Sequence, residues 1–242
     1  MSLPQLKTSE IVDLLGPSLQ KGECLLNDFE LIRALHEARK LPDDVDRLFV
    51  QGLIRLVEGR DEDAYSLIER SLLINPNNEE IWLNYFKAVN NKRHYHKALS
   101  ILNSSLNYPF PAVLNQCYEK GVTWGRVDMA SEAKRKLKMM NIFDEDRFSD
   151  ELNFLYDGFS LLGSEKNAFQ EVCSIISEIA QKYKVNVVGN RIEFTDIFSI
   201  ISLVTSNDDE LLSAMNFEVV DLIVLKGLEK NNCIGFFDAS GE

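Results

Sequence analysis

The sequence predicts a mainly α-helical fold in which antiparallel helix pairs stack on one another, followed by a small C-terminal α+β module. Three observations lead to this prediction. Apolar residues recur at helical spacing through residues 1–182, with turn signals between the segments. Two similar strings close successive segments, and their prolines, Pro42 and Pro76, lie 34 positions apart. After Lys182 the pattern changes to the apolar and polar alternation that is typical of strands.

Residues 45–78 give the clearest helix pair. The first apolar segment contains Gly52, and the second contains Ala64 and ends before Pro76. Small residues at these positions allow two helices to approach to about 8–10 Å. One such pair cannot bury its apolar face alone, so neighbouring pairs are expected to stack.

This order of small residues and closing prolines resembles that of the tetratricopeptide repeat family. The resemblance implies a TPR-like α-solenoid, with Ala64, Ala98, Ala130 and Ala168 where paired helices cross. It also implies a binding groove lined by the first helix of each pair. The implied helical domain covers residues 1–182, with units at 9–44 (degenerate), 45–78, 79–110, 111–144 and 149–182.

The groove positions that the resemblance implies are partner-binding candidates. In the best unit they are Phe49, Leu53 and Leu56, and in the next unit Leu83, Lys87 and Asn90. Because the first set is apolar, it favours a hydrophobic partner segment such as a helix. The alternative is that the N-terminal helices or the C-terminal module fill this groove, since apolar patches are usually covered.

Residues 183–242 form the predicted α+β module. We expect a β-hairpin with its turn at Gly189-Asn190, a helix beginning near Asn207 and a last strand over Cys233–Phe237. The module holds ten acidic and four basic residues, and therefore half of the chain's net charge of −12.

Charge and targeting signals narrow the partners and the compartment. A net charge of −12 is the wrong sign for a protein that binds nucleic acid through its phosphates. The sequence begins without a secretory signal, and its apolar runs are far shorter than the roughly twenty residues of a membrane span. We therefore expect a cytoplasmic protein with neither a nucleic-acid nor a membrane partner.

Motifs for chemistry are weak. His94 and His96 flank a predicted turn, but a zinc site would need further ligands. The basic run 134–138 is interpreted as a solvated helix face, with an acidic docking site as the alternative. No catalytic motif occurs, so the sequence predicts no enzyme activity, cofactor or metal.

The function predicted from these observations is non-catalytic binding of a partner polypeptide. One specific role is to neutralise or chaperone a basic partner, as antitoxins, immunity proteins and secretion chaperones do. The alternative within this class is a regulatory or assembly scaffold that self-associates. A rival from another class is an enzyme or ligand sensor with its site around Asn186, Asn190, Arg191 and Asp196.

Overall fold

The computed structural model describes residues 4–241, and side chains are described from residue 8 onward. The chain divides into two compact units, Met1–Lys92 and Arg93–Glu242. The outer limits of the two predicted domains, residues 1 and 242, lie outside the described residues. The observed division at Lys92 falls inside the predicted unit 79–110, whereas the sequence placed the domain boundary at residue 182.

The first unit is all helical. α1 and α2 pack against α3, and α3 forms a tight pair with α4. The helices are α1 (Pro4–Lys21), α2 (Asp28–Ala38), α3 (Asp44–Val57), α4 (Asp61–Ile74) and α5 (Glu79–Asn91).

The pairing of α3 with α4 depends on small residues at the crossing. A Cβ atom on Gly52 would lie 2.4 Å from Cγ1 of Ile68 and 3.2 Å from the carbonyl oxygen of Ala64. Only glycine therefore fits this approach without a shift of the neighbouring helix. The prediction of a close helix crossing at Gly52 and Ala64 is confirmed.

The second unit combines helices with a small sheet. Two 3-10 segments, Glu145–Arg147 and Phe159–Glu165, separate its helices. Its elements are α6 (Tyr95–Ser105), α7 (Pro111–Thr123), α8 (Val127–Met139), α9 (Asp150–Gly158), α10 (Lys166–Tyr183), β1 (Val187–Phe194), β2 (Phe198–Val204), α11 (Asp209–Leu225) and β3 (Cys233–Ala239).

α7 and α8 form a second tight pair. A Cβ atom on Gly121 would lie 2.8 Å from the backbone nitrogen of Ala130, so these helices meet backbone to backbone. Ala130 is fully buried, as expected for a crossing point. The predicted unit 149–182 is less regular, because α9 is short and the 3-10 segment over Phe159–Glu165 separates it from α10.

The three strands form one sheet in the order β1-β2-β3. β1 and β2 are antiparallel, whereas β2 and β3 are parallel, with α11 as the crossover between them. α10 packs directly on the sheet: a Cβ atom on Gly235 would lie 2.9 Å from side-chain carbons of Val172 and Ile176. The sheet therefore shares its core with α10, and the chain is mainly helical with a small C-terminal sheet.

The predicted position of the hairpin turn is wrong. Gly189 and Asn190 lie within β1, opposite Leu203 and Ser202, and the strand has an irregularity between Val187 and Gly189. The turn falls instead between Phe194 and Phe198. Val188 is the extra residue at this irregularity, so the glycine lies beside a bulge, which is another common place for glycine within a strand.

Candidate functional site

The first helix of the best predicted unit does not present an open groove. Phe49, Leu53 and Leu56 are only 6%, 1% and 0% exposed, and α1 and α2 pack against α3. The apolar character of these residues reflects core packing. The N-terminal helices cover this face, which is the alternative stated above. The three positions do not line an open groove.

The second set of predicted groove residues lies on α5 and is more accessible. Lys87 is exposed, while Leu83 and Asn90 are half-buried. These three residues share one helix face by their spacing. The face is polar at its centre, and it lacks the apolar surface that the first set was expected to supply.

The largest exposed apolar row within a described helix lies on α11, which is apolar around nearly its whole circumference. Its inner face is held in the core by Met215, Val219 and Ile223, which are buried, and the helix packs against α10 and β3. A helix that is apolar all round is normally covered on every side. α11 is covered on one side only.

The uncovered side of α11 carries four large apolar side chains, which we call the α11 outer face. Three of them, Phe217, Val220 and Val224, follow helical spacing and form one row. Their exposures, with that of the neighbouring Leu225, are 73%, 53%, 56% and 80% respectively. Contiguous exposed apolar rows of this kind are uncommon on folded proteins.

Polar contacts fix α11 in place, so this exposure is not a consequence of loose packing. The Asn216 side-chain amide donates to the carbonyl of Phe237 at 3.0 Å and accepts from its N–H at 2.7 Å. Asn216 thus pairs with the backbone of β3 as a neighbouring strand would. Two residues further on, Glu218 accepts from Lys182 at 2.7 Å, and this contact lowers the pKa of the carboxyl group.

The exposed charged residues within α11 are all acidic, and Lys226, which pairs with Glu171, follows at the C-cap. α11 contains no basic residue. Asp208 caps the helix by accepting from the N–H groups of Glu210 and Leu211 at 3.1 Å each. Besides the paired Glu218, the exposed acids along the helix are Asp209, Glu210 and Asp221.

The sequence contained a signal for this face, which the interpretation did not use. Leu211, Leu212, Met215, Val219, Leu222 and Ile223 explain the inner face at helical spacing. Phe217, Val220, Val224 and Leu225 are then surplus apolar residues on the opposite side. A small module does not have enough structure to cover two opposite faces of one helix. The surplus apolar residues were therefore the available clue.

The same unit also contains a cleft with both polar and apolar walls. It lies between α6, the start of α8 and α10, and the cation that lines it is Arg126. The residues proposed for a ligand-sensing rival do not form such a site: Asn190 accepts from Ser202, and Arg191 pairs with Glu193 at 3.1 Å. Because Asn190 and Arg191 are adjacent in β1, their side chains point to opposite faces of the sheet.

The basic run 134–138 is only partly a solvated face. Lys134 has a side-chain exposure of 12%, and its Nζ lies 4.1 Å from the ring centroid of Tyr156 and 5.0 Å from that of Phe143. This lysine is held by cation–π contacts within the protein. Arg135 and Lys138 are exposed, as the solvated-face interpretation expects.

The described residues contain neither a metal-binding cluster nor a helix suited to cross a membrane. Among residues 4–241, no group of three or more histidine, cysteine, aspartate or glutamate side chains is arranged to hold a metal ion. Within the same range no helix has the length and apolar character that a membrane crossing requires.

Comparisons of the chain with protein-family models, with curated proteins and with solved structures gave no match. The resemblance to tetratricopeptide repeats therefore depends on the residues quoted above, and it stays a prediction.

Proposed function

We propose that this protein binds a partner polypeptide without catalysis, and that the α11 outer face is the binding surface. The observation that carries the proposal is that α11 is apolar on both sides and covered on one. Four side chains with exposures from 53% to 80% would each gain from burial. Fully burying a large apolar side chain is worth about 1.5–3 kcal/mol, and a partner that covers this row would set that gain against the cost of association.

The partner that fits this surface is an amphipathic helix with basic residues beside its apolar row. α11 supplies an apolar row flanked by carboxylates and has no basic residue of its own. A helix docked on another helix presents apolar anchors at the same spacing. Lysine or arginine beside those anchors would meet Asp221 and the acidic first turn, which favours a basic partner over an acidic one. Neutralising or chaperoning such a partner is the specific role proposed.

Self-association through the same face, the scaffold alternative, has weaker support. In a twofold contact the same patch meets itself. Because Asp221 lies near the middle of the row, antiparallel packing of two α11 helices would bring the two Asp221 carboxylates together. Like charges facing each other oppose association, so the chemistry of the face favours a different partner.

We also propose that the helix pairs α3–α4 and α7–α8 are hairpins of the tetratricopeptide type. The close approach at Gly52 and the full burial of Ala64 and Ala130 support this proposal, because the resemblance places small residues at these positions. A cytoplasmic location, proposed from the sequence signals, is compatible with the reduced state of the four cysteines.

The binding proposal is tested with two synthetic helices that differ only in charge. One carries leucines at helical spacing with lysines on the other face, and the other carries glutamates in place of the lysines. We expect the leucine–lysine helix to bind the wild-type chain in fluorescence anisotropy, and its affinity to fall as salt rises. The leucine–glutamate helix should bind at least tenfold more weakly.

Phe217→Asp is the variant that removes the binding surface, and Phe154→Asp is its matched control. Phe154 on α9 is 72% exposed, against 73% for Phe217, so both substitutions replace an equally exposed phenylalanine and add the same charge. The leucine–lysine helix should bind the Phe154→Asp variant as it binds wild type and should lose at least tenfold in affinity for Phe217→Asp. Equal affinities for the two variants would contradict the assignment of the surface.

A further inference from the structure

The cleft between α6, the start of α8 and α10 contains a half-buried arginine whose hydrogen-bonding capacity is not fully used. The cleft is separate from the α11 outer face and has both polar and apolar walls. The residues that line it include His96, Leu99, Asn103, Arg126, Met129 and Gln170.

Arg126 is the unusual group in this cleft. Its Nη2 donates to the hydroxyl of Ser174 at 3.3 Å and to that of Ser177 at 3.2 Å. Its Nε is buried and has no hydrogen-bond partner among the described residues. Removal from water lowers the pKa of the guanidinium. The guanidinium is half-buried, and the hydrogen-bond partners of its Nη2 are neutral hydroxyls, whereas guanidinium groups in such places are commonly paired with an anion.

The carboxylates around the cleft already have partners of their own, so they do not serve as ion-pair partners of Arg126. They reduce the net positive charge of the site without occupying the Nε position. Asp128 pairs with Lys166 at 2.8 Å and Glu171 with Lys226 at 3.1 Å, while Glu178 accepts from the hydroxyl of Ser174 at 3.3 Å.

We propose that this cleft binds a small monocarboxylate, with the carboxylate accepting from Arg126. A guanidinium edge and a carboxylate match in geometry. One negative charge is favoured over two, because Asp128, Glu171 and Glu178 repel additional charge. Leu99 and Met129 line the same cleft and offer apolar surface to a short aliphatic tail. The site is that of a small ligand, and it is independent of the protein-binding proposal.

The test follows the Nε–Hε signal of Arg126 by NMR while butyrate is added to the full chain. We expect this signal to shift and to saturate. Butyramide, which has the same shape without the charge, should leave the signal unchanged. Inorganic phosphate, which carries more than one negative charge on average near neutral pH and has no apolar tail, should bind at least tenfold more weakly than butyrate.

Two variants on the same part of the chain complete the experiment. Arg135→Gln removes an exposed arginine of α8 and should leave butyrate binding unchanged. Arg126→Lys keeps the positive charge but loses the planar fork, and should weaken binding at least tenfold in a folded protein. A linear shift that Arg126 shares with exposed arginines would overturn the proposal, as would equal binding of butyramide. Saturation by phosphate but not by butyrate would overturn the assignment of a carboxylate.

Discussion

α3 and α11 are both rich in apolar residues, yet the fold treats them in opposite ways. α3 places Phe49, Leu53 and Leu56 in the core, beneath α1 and α2 and beside α4. α11 buries only its inner face and leaves Phe217 and Leu225 at 73% and 80% exposure. The first helix is surrounded by other helices, whereas the second lies at the edge of a three-stranded sheet, where there are fewer elements to cover it.

The comparison teaches that apolar content predicts burial only where enough structure is available to cover it. α3 belongs to a set of five helices that can enclose it. α11 is fixed to the outer strand β3 by Asn216, and beyond that strand no further strand follows in the described chain. Similar composition is therefore found in the core in one place and on an exposed apolar face in the other.

The largest expected effect separates the two helices directly. Phe49→Asp buries a carboxylate in the core, which should cost more than about 4 kcal/mol of a total stability that is typically about 5–15 kcal/mol. Phe217→Asp places the same group in water and should leave the melting temperature within a few degrees of wild type. Circular dichroism on heating measures both. If Phe49→Asp melted like wild type, the position of Phe49 in the core would be wrong.

A smaller effect tests the close contact that seats α3 on α4. Gly52→Ala adds a Cβ atom 2.4 Å from Ile68 and should cost about 1–3 kcal/mol through overpacking. Gly189→Ala is the control, because nothing lies within 4 Å of a Cβ atom there. Urea denaturation should show a lower midpoint for the first variant and an equal or higher one for the second. Equal midpoints would mean that the helices are further apart than described.

The attachment of α11 to β3 gives a third prediction. Asn216→Ala removes both side-chain hydrogen bonds to Phe237 and leaves two backbone groups of the edge strand to find other partners. The expected loss is about 1–3 kcal/mol. Hydrogen exchange should quicken at the amide of Phe237, while the amides of β2 keep their protection. Unchanged exchange at Phe237 would show that Asn216 does not pair with the strand.

The smallest effect concerns pH. Contacts with Lys182 and Tyr183 lower the pKa of Glu218 below its ordinary value. The stability that this group contributes is therefore present above its unfolded pKa and is lost as pH falls through its lower folded pKa. Because Lys182 is largely exposed, the effect is small. Glu218→Gln should flatten this part of the profile of melting temperature against pH, and an identical profile would exclude the contribution.

Helical spacing and small residues predicted much of the fold. The helix bounds near Gly52 and Ala64, the helix after Asn207 and the last strand at Cys233 follow from local patterns, and the structure has them. The hairpin turn was misplaced because Gly189-Asn190 suits both a turn and a bulge. Which of the two forms depends on the register with β2, and that register is not a local property of the sequence.

The site was harder to predict than the helices. Phe49 was assigned to a groove because a family resemblance supplied the position, and only the packing of α1 and α2 shows that it is covered. The cleft around Arg126 is formed by α6, α8 and α10, which are far apart in sequence. No spacing rule brings Arg126 to Ser174 and Ser177, so the polar cleft could not be predicted.

The most direct test of the central claim is photo-crosslinking in cells that naturally make the protein. A photoreactive phenylalanine analogue is placed at position 217 in one strain and at position 154 in another, and the crosslinked products are identified by mass. If the α11 outer face binds a basic partner, one basic protein should be crosslinked from position 217. That protein should not be crosslinked from position 154. Crosslinking of the same proteins from both positions, or of a second copy of this chain from position 217, would contradict the account.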